Sequence, residues 1–177
     1  MAEKAEIRQL HIPTQDGGAS ARVAQPWPGI LLFFNDMRTH FFPMEPEGKR
    51  LKFNYSLHGC CELMLETGRS FYLGEGQAHI GMENASEGFR FPEGEYRGLE
   101  LSVDPQCLLP ELERLWADIG FRCADWAGTS VGYPGEELKQ CCLRVTELLT
   151  SGEPSPEMLR FAVLEIIYHL SQKNLLL

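Results

Sequence analysis

"FYLGEGQAHIG", residues 71–81, reads as a strand, a glycine turn and a second strand that carries one histidine, His79. Gly74 and Gly76 have the spacing of a hairpin turn, where glycine supplies a positive φ. A phosphate cradle at these glycines would need a helix N-terminus behind them, and a strand follows instead. The same pattern continues outward on both sides. "GILLFFNDM" (29–37) is a near-continuous apolar run of strand length, as expected where both faces are covered. "KFNYSLHGCCELMLE" (52–66) alternates: Phe53, Tyr55, Leu57, Cys61, Leu63 and Leu65 share one face, Lys52, Asn54, Ser56, His58, Glu62 and Glu66 the other. Gly59 marks a bend or bulge that would curl the sheet. "RGLELSV" (97–103) alternates again, with Leu99, Leu101 and Val103 inward. Short antiparallel strands separated by glycine turns predict a sandwich or barrel.

From residue 105 the apolar period lengthens to that of helices. Asp104 and Pro105 suit a turn, and Pro110 opens a helix running to about Gly120. "GEELKQCCLRVTELL" (135–149) places Leu138, Cys141, Cys142, Val145, Leu148 and Leu149 on one stripe. "SPEMLRFAVLEIIYHLSQK" (155–173) begins with Ser155 as cap and Pro156 at the first helical position. Leu159, Val163, Ile166, Ile167 and Leu170 form one stripe of this last helix. Met158, Phe161, Leu164 and Tyr168 spread over much of the remainder. A helix apolar on most sides needs cover from more than one neighbour, and a second copy of the chain is the natural one. The expected homodimer interface comprises Leu138, Cys142, Val145, Leu149, Leu159, Phe161, Leu164 and Tyr168. Residues 1–27, with Pro13, Gly17, Gly18 and Pro26, read as a loose arm ending at Trp27. The expectation is therefore one compact unit of three parts: an arm (1–27), a mainly β, jelly-roll-type antiparallel barrel (28–104) and C-terminal α-helices (105–177).

A chain of 177 residues with 44% hydrophobic and 23% charged residues suits one soluble globular domain. The net charge of −9 argues against a bare nucleic-acid surface. Lys49, Arg50 and Lys52, the densest basic group, read as a solvated strand end. The first residues lack an apolar signal core, and no 18-residue apolar run occurs. The six cysteines, at 60, 61, 107, 123, 141 and 142, form no C-x-x-C pair. They read as small buried hydrophobes in a reducing, cytoplasmic setting.

Metal-dependent barrels of the cupin type carry several histidines and a carboxylate that converge on one ion. Here the corresponding stretch offers His58 alone, on the polar face of its strand. In "FPEGEYRG" (91–98) Tyr96 stands where a ligand histidine would. His79 has no histidine partner two to four residues away. The reading is a barrel without a metal or other cofactor, lacking the sequence signatures of hydrolases, P-loops and dinucleotide-binding folds. Aromatic side chains with polar handles suit a small-molecule pocket. Its expected lining is Trp27, Phe34, His40, Phe53, Tyr55, Tyr72, His79 and Tyr96.

The ordered combination of Asn54–Tyr55, Gly68 through Gly76, Phe91 through Gly98 and Asp104–Pro105 resembles the N-terminal, cupin-like effector-binding domain of AraC-type transcriptional regulators. The helices ending in "MLRFAVLEIIYHLS" look like the dimerisation segment that follows that barrel. The resemblance spans roughly residues 28–173. One departure is Gln77, where such hairpins commonly have Asp. The other is that these regulators continue into helix-turn-helix units absent from this sequence; the favoured expectation is that the sequence is the sensor piece of a longer regulator, the alternative that it is a naturally shortened relative. The resemblance implies a non-enzymatic sensor in which a small effector enters the barrel and shifts the arm or helices of a dimer. DNA would then be bound only through a domain missing from this chain. The rival readings are a stand-alone metal-dependent cupin enzyme, a dioxygenase or isomerase, and a structural dimerisation module with a filled barrel.

Overall fold

The alternating runs form two antiparallel sheets. A computed structural model describes residues 5–43, 48–65, 68–82, 85–172 and 175–176. Glu66, Thr67 and Lys173, which fall within the expected strand, turn and last helix, lie outside the described residues. In chain order the strands are β1 (Ile7–Thr14), β2 (Gly17–Trp27), β3 (Ile30–Arg38), β4 (Phe41–Pro43), β5 (Leu51–Gly59), β6 (Cys61–Leu65), β7 (Ser70–Leu73), β8 (Ala78–Gly81), β9 (Ala85–Arg90) and β10 (Tyr96–Val103). Helix α1 (Pro110–Asp118) and a single 3-10 turn (Cys123–Trp126) come next. Strand β11 (Thr129–Pro134), helices α2 (Glu136–Ser151) and α3 (Pro156–Ser171) and strand β12 (Leu175–Leu176) complete the chain.

The larger sheet has the order β1-β2-β3-β10-β5-β8-β11-β12, the smaller β4-β9-β6-β7. Every described pairing is antiparallel. The fold is thus the expected mainly β, antiparallel one with C-terminal helices, built as two separately hydrogen-bonded sheets rather than one closed barrel. Residues 7–27, expected as a loose arm, instead form the hairpin β1–β2 and pair with β3. Strand β11, inside the stretch expected to be helical, extends the large sheet beside β8.

The two rows of the large sheet have different neighbours. Leu32, Leu101, Phe53 and Ile80 lie opposite one another on β3, β10, β5 and β8, as do Phe34, Leu99, Tyr55 and Ala78. These rows pack with Leu138, Cys141, Cys142, Val145 and Leu149 of α2 and Leu159, Val163, Ile166, Ile167 and Leu170 of α3 in one core. Each such large side chain contributes about 1.5–3 kcal/mol by burial. A one-residue slip of β5 would push Lys52 and Asn54 into that core, so the apolar row fixes the register. The capping expectation for α3 holds: Ser155 Oγ accepts the Met158 N–H at 3.3 Å, with Pro156 in the first turn.

Five of the eight residues expected at a dimer interface are used up inside the chain. Leu138, Cys142, Val145, Leu149 and Leu159 are buried between helices and sheet. The sheet was the missing neighbour: it covers the stripe that the sequence alone left uncovered. Phe161 (70% exposed) and Tyr168 (49% exposed) point outward, while Leu164 is half-buried. The cysteines also divide: Cys60, Cys61, Cys141 and Cys142 are buried, whereas Cys107 is exposed, contrary to the buried reading.

Candidate functional site: a cavity between the sheets

The opposite rows of the large sheet face the small one across a cavity of about 320 Å³. Its floor is polar. Glu100 of β10, Asn54 of β5 and His79 of β8 are direct cross-strand neighbours, with Ser102 and Lys52 one row below. The Lys52 Nζ lies 3.6 Å from Glu100 Oε1, and both side chains are nearly buried. Arg50 donates from Nε to Ser102 Oγ at 2.8 Å and from Nη2 to the Gly29 carbonyl at 3.3 Å. Asp104 stands 3.9 Å from the same guanidinium. The cations and carboxylates of the floor are thus locally matched.

The roof is apolar: Cys61, Leu63, Phe71, Leu73 and Phe89 come from β6, β7 and β9, joined by Phe91. Leu31 and Phe33 of β3 extend the apolar lining onto the large sheet. Leu10 and Ile12 of β1 form one edge; each is 43% exposed, so that edge meets solvent. A polar floor under an apolar roof is the composition of a site for a small amphipathic molecule.

His79 is the centre of this arrangement. Its side chain is 4% exposed and its ring stands 5.0 Å from that of Phe71. Asn54 Nδ2, a donor only, lies 3.2 Å from His79 Nδ1, so Nδ1 accepts and the proton of the neutral ring belongs on Nε2. Nε2 has no partner among the described residues. Burial, reinforced by the charge of Lys52, pulls the imidazole down from its ordinary 6.5 to about 4, so the ring is neutral at physiological pH. Tyr96 closes the far end, its hydroxyl bonded to the Cys61 sulfur and its ring 5.3 Å from Phe91. A Cβ at Gly98 would stand 2.2 Å from the Tyr96 hydroxyl, which explains why the residue two positions on is glycine.

Of the eight residues expected to line the pocket, the structure brings two, His79 and Tyr96, to the cavity. Phe34, Phe53 and Tyr55 belong to the row packed against the helices. Trp27 sits at the same face, with the Arg160 guanidinium 5.8 Å above its ring. Tyr72 lies outside the cavity, 52% exposed, and its hydroxyl donates to Cys60 Sγ at 2.6 Å. His40 is exposed beside Gly94, with Nδ1 3.1 Å from the Phe91 carbonyl oxygen. The strand parity separates the two rows correctly but assigns the pocket to the wrong one. The residues thereby missed, Lys52, Asn54, Glu100 and Ser102, form the polar half of each alternation. A row of Asn and Ser on interior strands is the one sequence signal that they are not simply solvated.

Among the described residues, no three His, Cys, Asp or Glu side chains come together in a way that could hold a metal ion. His79 is the single histidine on the cavity. The donor set therefore does not fit the metal centre of a cupin enzyme. Among the described residues, no helix is long and apolar enough to cross a membrane.

The sequence matches no protein-family model, and no curated protein is significantly similar to it. Solved structures that resemble the chain include an HTH_3 family transcriptional regulator from Vibrio cholerae, at 12% identity and TM-score 0.46, over 54% of this chain and 56% of that one. The Fe(II) form of HppE gives 13% identity and TM-score 0.46, over 55% and 57%. A Bacillus subtilis oxalate decarboxylase variant gives 13% and 0.45, over 71% and 39%. The chain spans little more than half the length of the first two and less of the third. At such identities and scores the likeness carries no argument about ligand or reaction.

Proposed function

We propose that this chain is a small-molecule-binding sensor domain, the effector-binding and dimerisation part of a regulator of the AraC type. The observation that carries the reading is the cavity, with a buried polar row on one wall, an apolar opposite wall and an edge open to solvent. A nearly buried row of charged and polar side chains is a costly lining for a purely structural module. A ligand that interacted with it would offset part of that cost.

Strand β2 provides the physical link from cavity to helices. Its Ala19, Ser20 and Ala21 line the cavity. Its Arg22 donates to the Leu149 and Thr150 carbonyls at the end of α2, and its Pro26 carbonyl accepts from Arg160 of α3 at 3.1 Å. A ligand that favours one position of β2 over another would shift both helices with it. In this reading Met158, Phe161 and Tyr168, exposed along α3, are covered by a second copy, and DNA is bound by a separate domain.

Native mass spectrometry of the purified protein, with a metal assay on the same sample, tests the proposal. A metal-free dimer that takes up one small molecule per chain supports it. A monomer holding one transition metal per chain would overturn it and return the chain to the enzyme reading.

A further inference from the structure

His79 Nε2 is sealed within the wall, but the row to which His79 belongs offers other polar atoms to the cavity. Glu100 is nearly buried, and among the described residues no donor hydrogen-bonds its carboxylate. Lys52 Nζ stands 3.6 Å away, an ion pair too long for a hydrogen bond. The Asn54 amide is held by His79: Nδ2 is engaged with Nδ1 at 3.2 Å, which leaves Oδ1 without a donor among the described residues. Unlike His79 Nε2, the Glu100 oxygens and Asn54 Oδ1 are not sealed. On the inner strands β10 and β5 they are reached through the cavity that both residues line. As direct cross-strand neighbours, the two residues have Cβ atoms about 5 Å apart, so one small group can meet both. Asn35, half-buried on β3 and one row along, also lines the cavity and makes no side-chain hydrogen bond among the described residues.

Charge and hydrogen-bonding capacity select the group that fits. The Glu100 carboxylate and Asn54 Oδ1 are acceptors and call for two donors side by side. Lys52 already faces Glu100, and Asp104 already faces Arg50. A ligand with a net charge would leave one charge uncompensated in this matched set. The Asn35 amide both donates and accepts, and a hydroxyl meets it in either sense. Neutral, adjacent hydroxyls answer all three residues. The opposite wall sets the body of the molecule: Phe71, Phe89, Phe91 and Leu63 present an apolar, largely aromatic surface. A cavity of about 150 Å³ takes one benzene, and the space here, about 320 Å³, accommodates one or two rings.

We infer that the ligand is a neutral ring compound with two adjacent hydroxyls, which donate to the Glu100 carboxylate and to Asn54 Oδ1 while one face of the ring packs on the phenylalanines. The inference rests on the reading of the cavity as a ligand site and adds to it the chemical class. A hydrogen bond to a charged acceptor is about twice as strong as one between neutral groups, so Glu100 is the selecting contact. An aromatic diol and a saccharide share this chemistry, since each joins paired hydroxyls to a face that packs on aromatic rings. The test separates the two.

Calorimetry on the full chain at pH 7 compares 2,3-dihydroxynaphthalene, 2-naphthol and 2-methylnaphthalene, with methyl β-D-galactopyranoside as the saccharide probe. The diol should bind at least about tenfold more tightly than 2-naphthol, the value of one further buried hydrogen bond. Binding of the galactoside in place of the naphthalenes would assign the hydroxyl pair to a saccharide; either result supports the inference, provided that the affinity gained from the hydroxyls is lost in Glu100→Met and in Asn54→Leu. If these variants fail to fold, the wild-type protein still decides the matter. With labelled glutamate and asparagine, the Glu100 carboxyl and Asn54 side-chain amide resonances must shift with the hydroxylated probe and stay in place with 2-methylnaphthalene. A diol that gains nothing over 2-naphthol, with the galactoside unbound, would overturn the paired-hydroxyl contact while leaving the cavity a ligand site. No binding of any probe would overturn both.

Discussion

Lowering the pH should destabilise this protein through His79 in a way that its carboxylates cannot mimic. In the unfolded chain the imidazole takes up a proton near its ordinary 6.5, whereas in the fold that uptake is delayed to about 4, first by burial and then by Lys52. Between those two values the unfolded state binds more protons than the folded one, so stability falls as pH falls. Above pH 7 both states are neutral and the group contributes nothing. At about pH 4.5 the unfolded imidazole is fully charged and the folded one still mostly neutral, a gap of about 2.5 kcal/mol at 1.36 kcal/mol per unit. The 25 Asp and Glu residues also titrate in this range, so the effect must be read as a difference. Urea unfolding of the wild type and His79→Gln, at a series of pH values from 7.5 to 4.5, isolates it, because the common carboxylates cancel. The wild type should lose about 2.5 kcal/mol more than the variant across that span. Parallel curves would show that His79 is solvated or paired with an anion, and the donor assignment at Nε2 would fall with them.

Three further perturbations follow from the packing. Gly59→Ala should destabilise by about 2 kcal/mol or more in thermal unfolding, because φ is +71° and the new Cβ would meet the Glu95 carbonyl oxygen at 2.5 Å. Gly120→Ala, with similar φ but open space around it, should lose only about 1 kcal/mol. If the proposed dimer forms through α3, Phe161→Glu should leave it a monomer in sedimentation velocity with the fold intact, whereas Leu159→Glu, aimed into the core, should unfold the chain. Arg22→Met should destabilise by about 1–3 kcal/mol through the two α2 carbonyls it leaves unsatisfied, and it should weaken any effect of ligand on helix position, measured by hydrogen exchange in α2.

Much of the architecture is legible in the residues. The alternation in 52–66 and 97–103 marks β5, β6 and β10, and Ser155 followed by Pro156 marks the start of α3 to the residue. The hairpin β1–β2 is not legible, because six of the eight residues in β1 are exposed and an edge strand with one solvated face carries little apolar signal. Strand β11 is equally quiet: "TSVGYP" holds a glycine and a proline, and it becomes a strand because β8 offers a free edge.

The candidate site fails in the sequence for one physical reason. Alternation reports that the two faces of a strand differ, not which neighbour each one meets. In β5 and β10 the apolar face, Phe53, Tyr55, Leu99 and Leu101, meets helices and excludes water. The polar face, Lys52, Asn54, Glu100 and Ser102, meets the cavity. A sheet with solvent on its polar side would show the same letters. Only the position of α2 and α3, set by contacts far apart in sequence, tells the two cases apart. His79 reached the cavity in both readings because β8 is covered on both faces.

That parity also supplies the decisive measurement. The leucine methyls of Leu31, Leu63 and Leu73 line the space between the sheets, while those of Leu32, Leu99 and Leu101 face the helices. With methyl-labelled protein and a broad set of aromatic fragments, a ligand in the cavity must give intermolecular NOEs to the first three and none to the second three. Fragments whose NOEs fall on the helix-side methyls, or a set in which none reaches Leu31, Leu63 or Leu73, would contradict the cavity as the functional site.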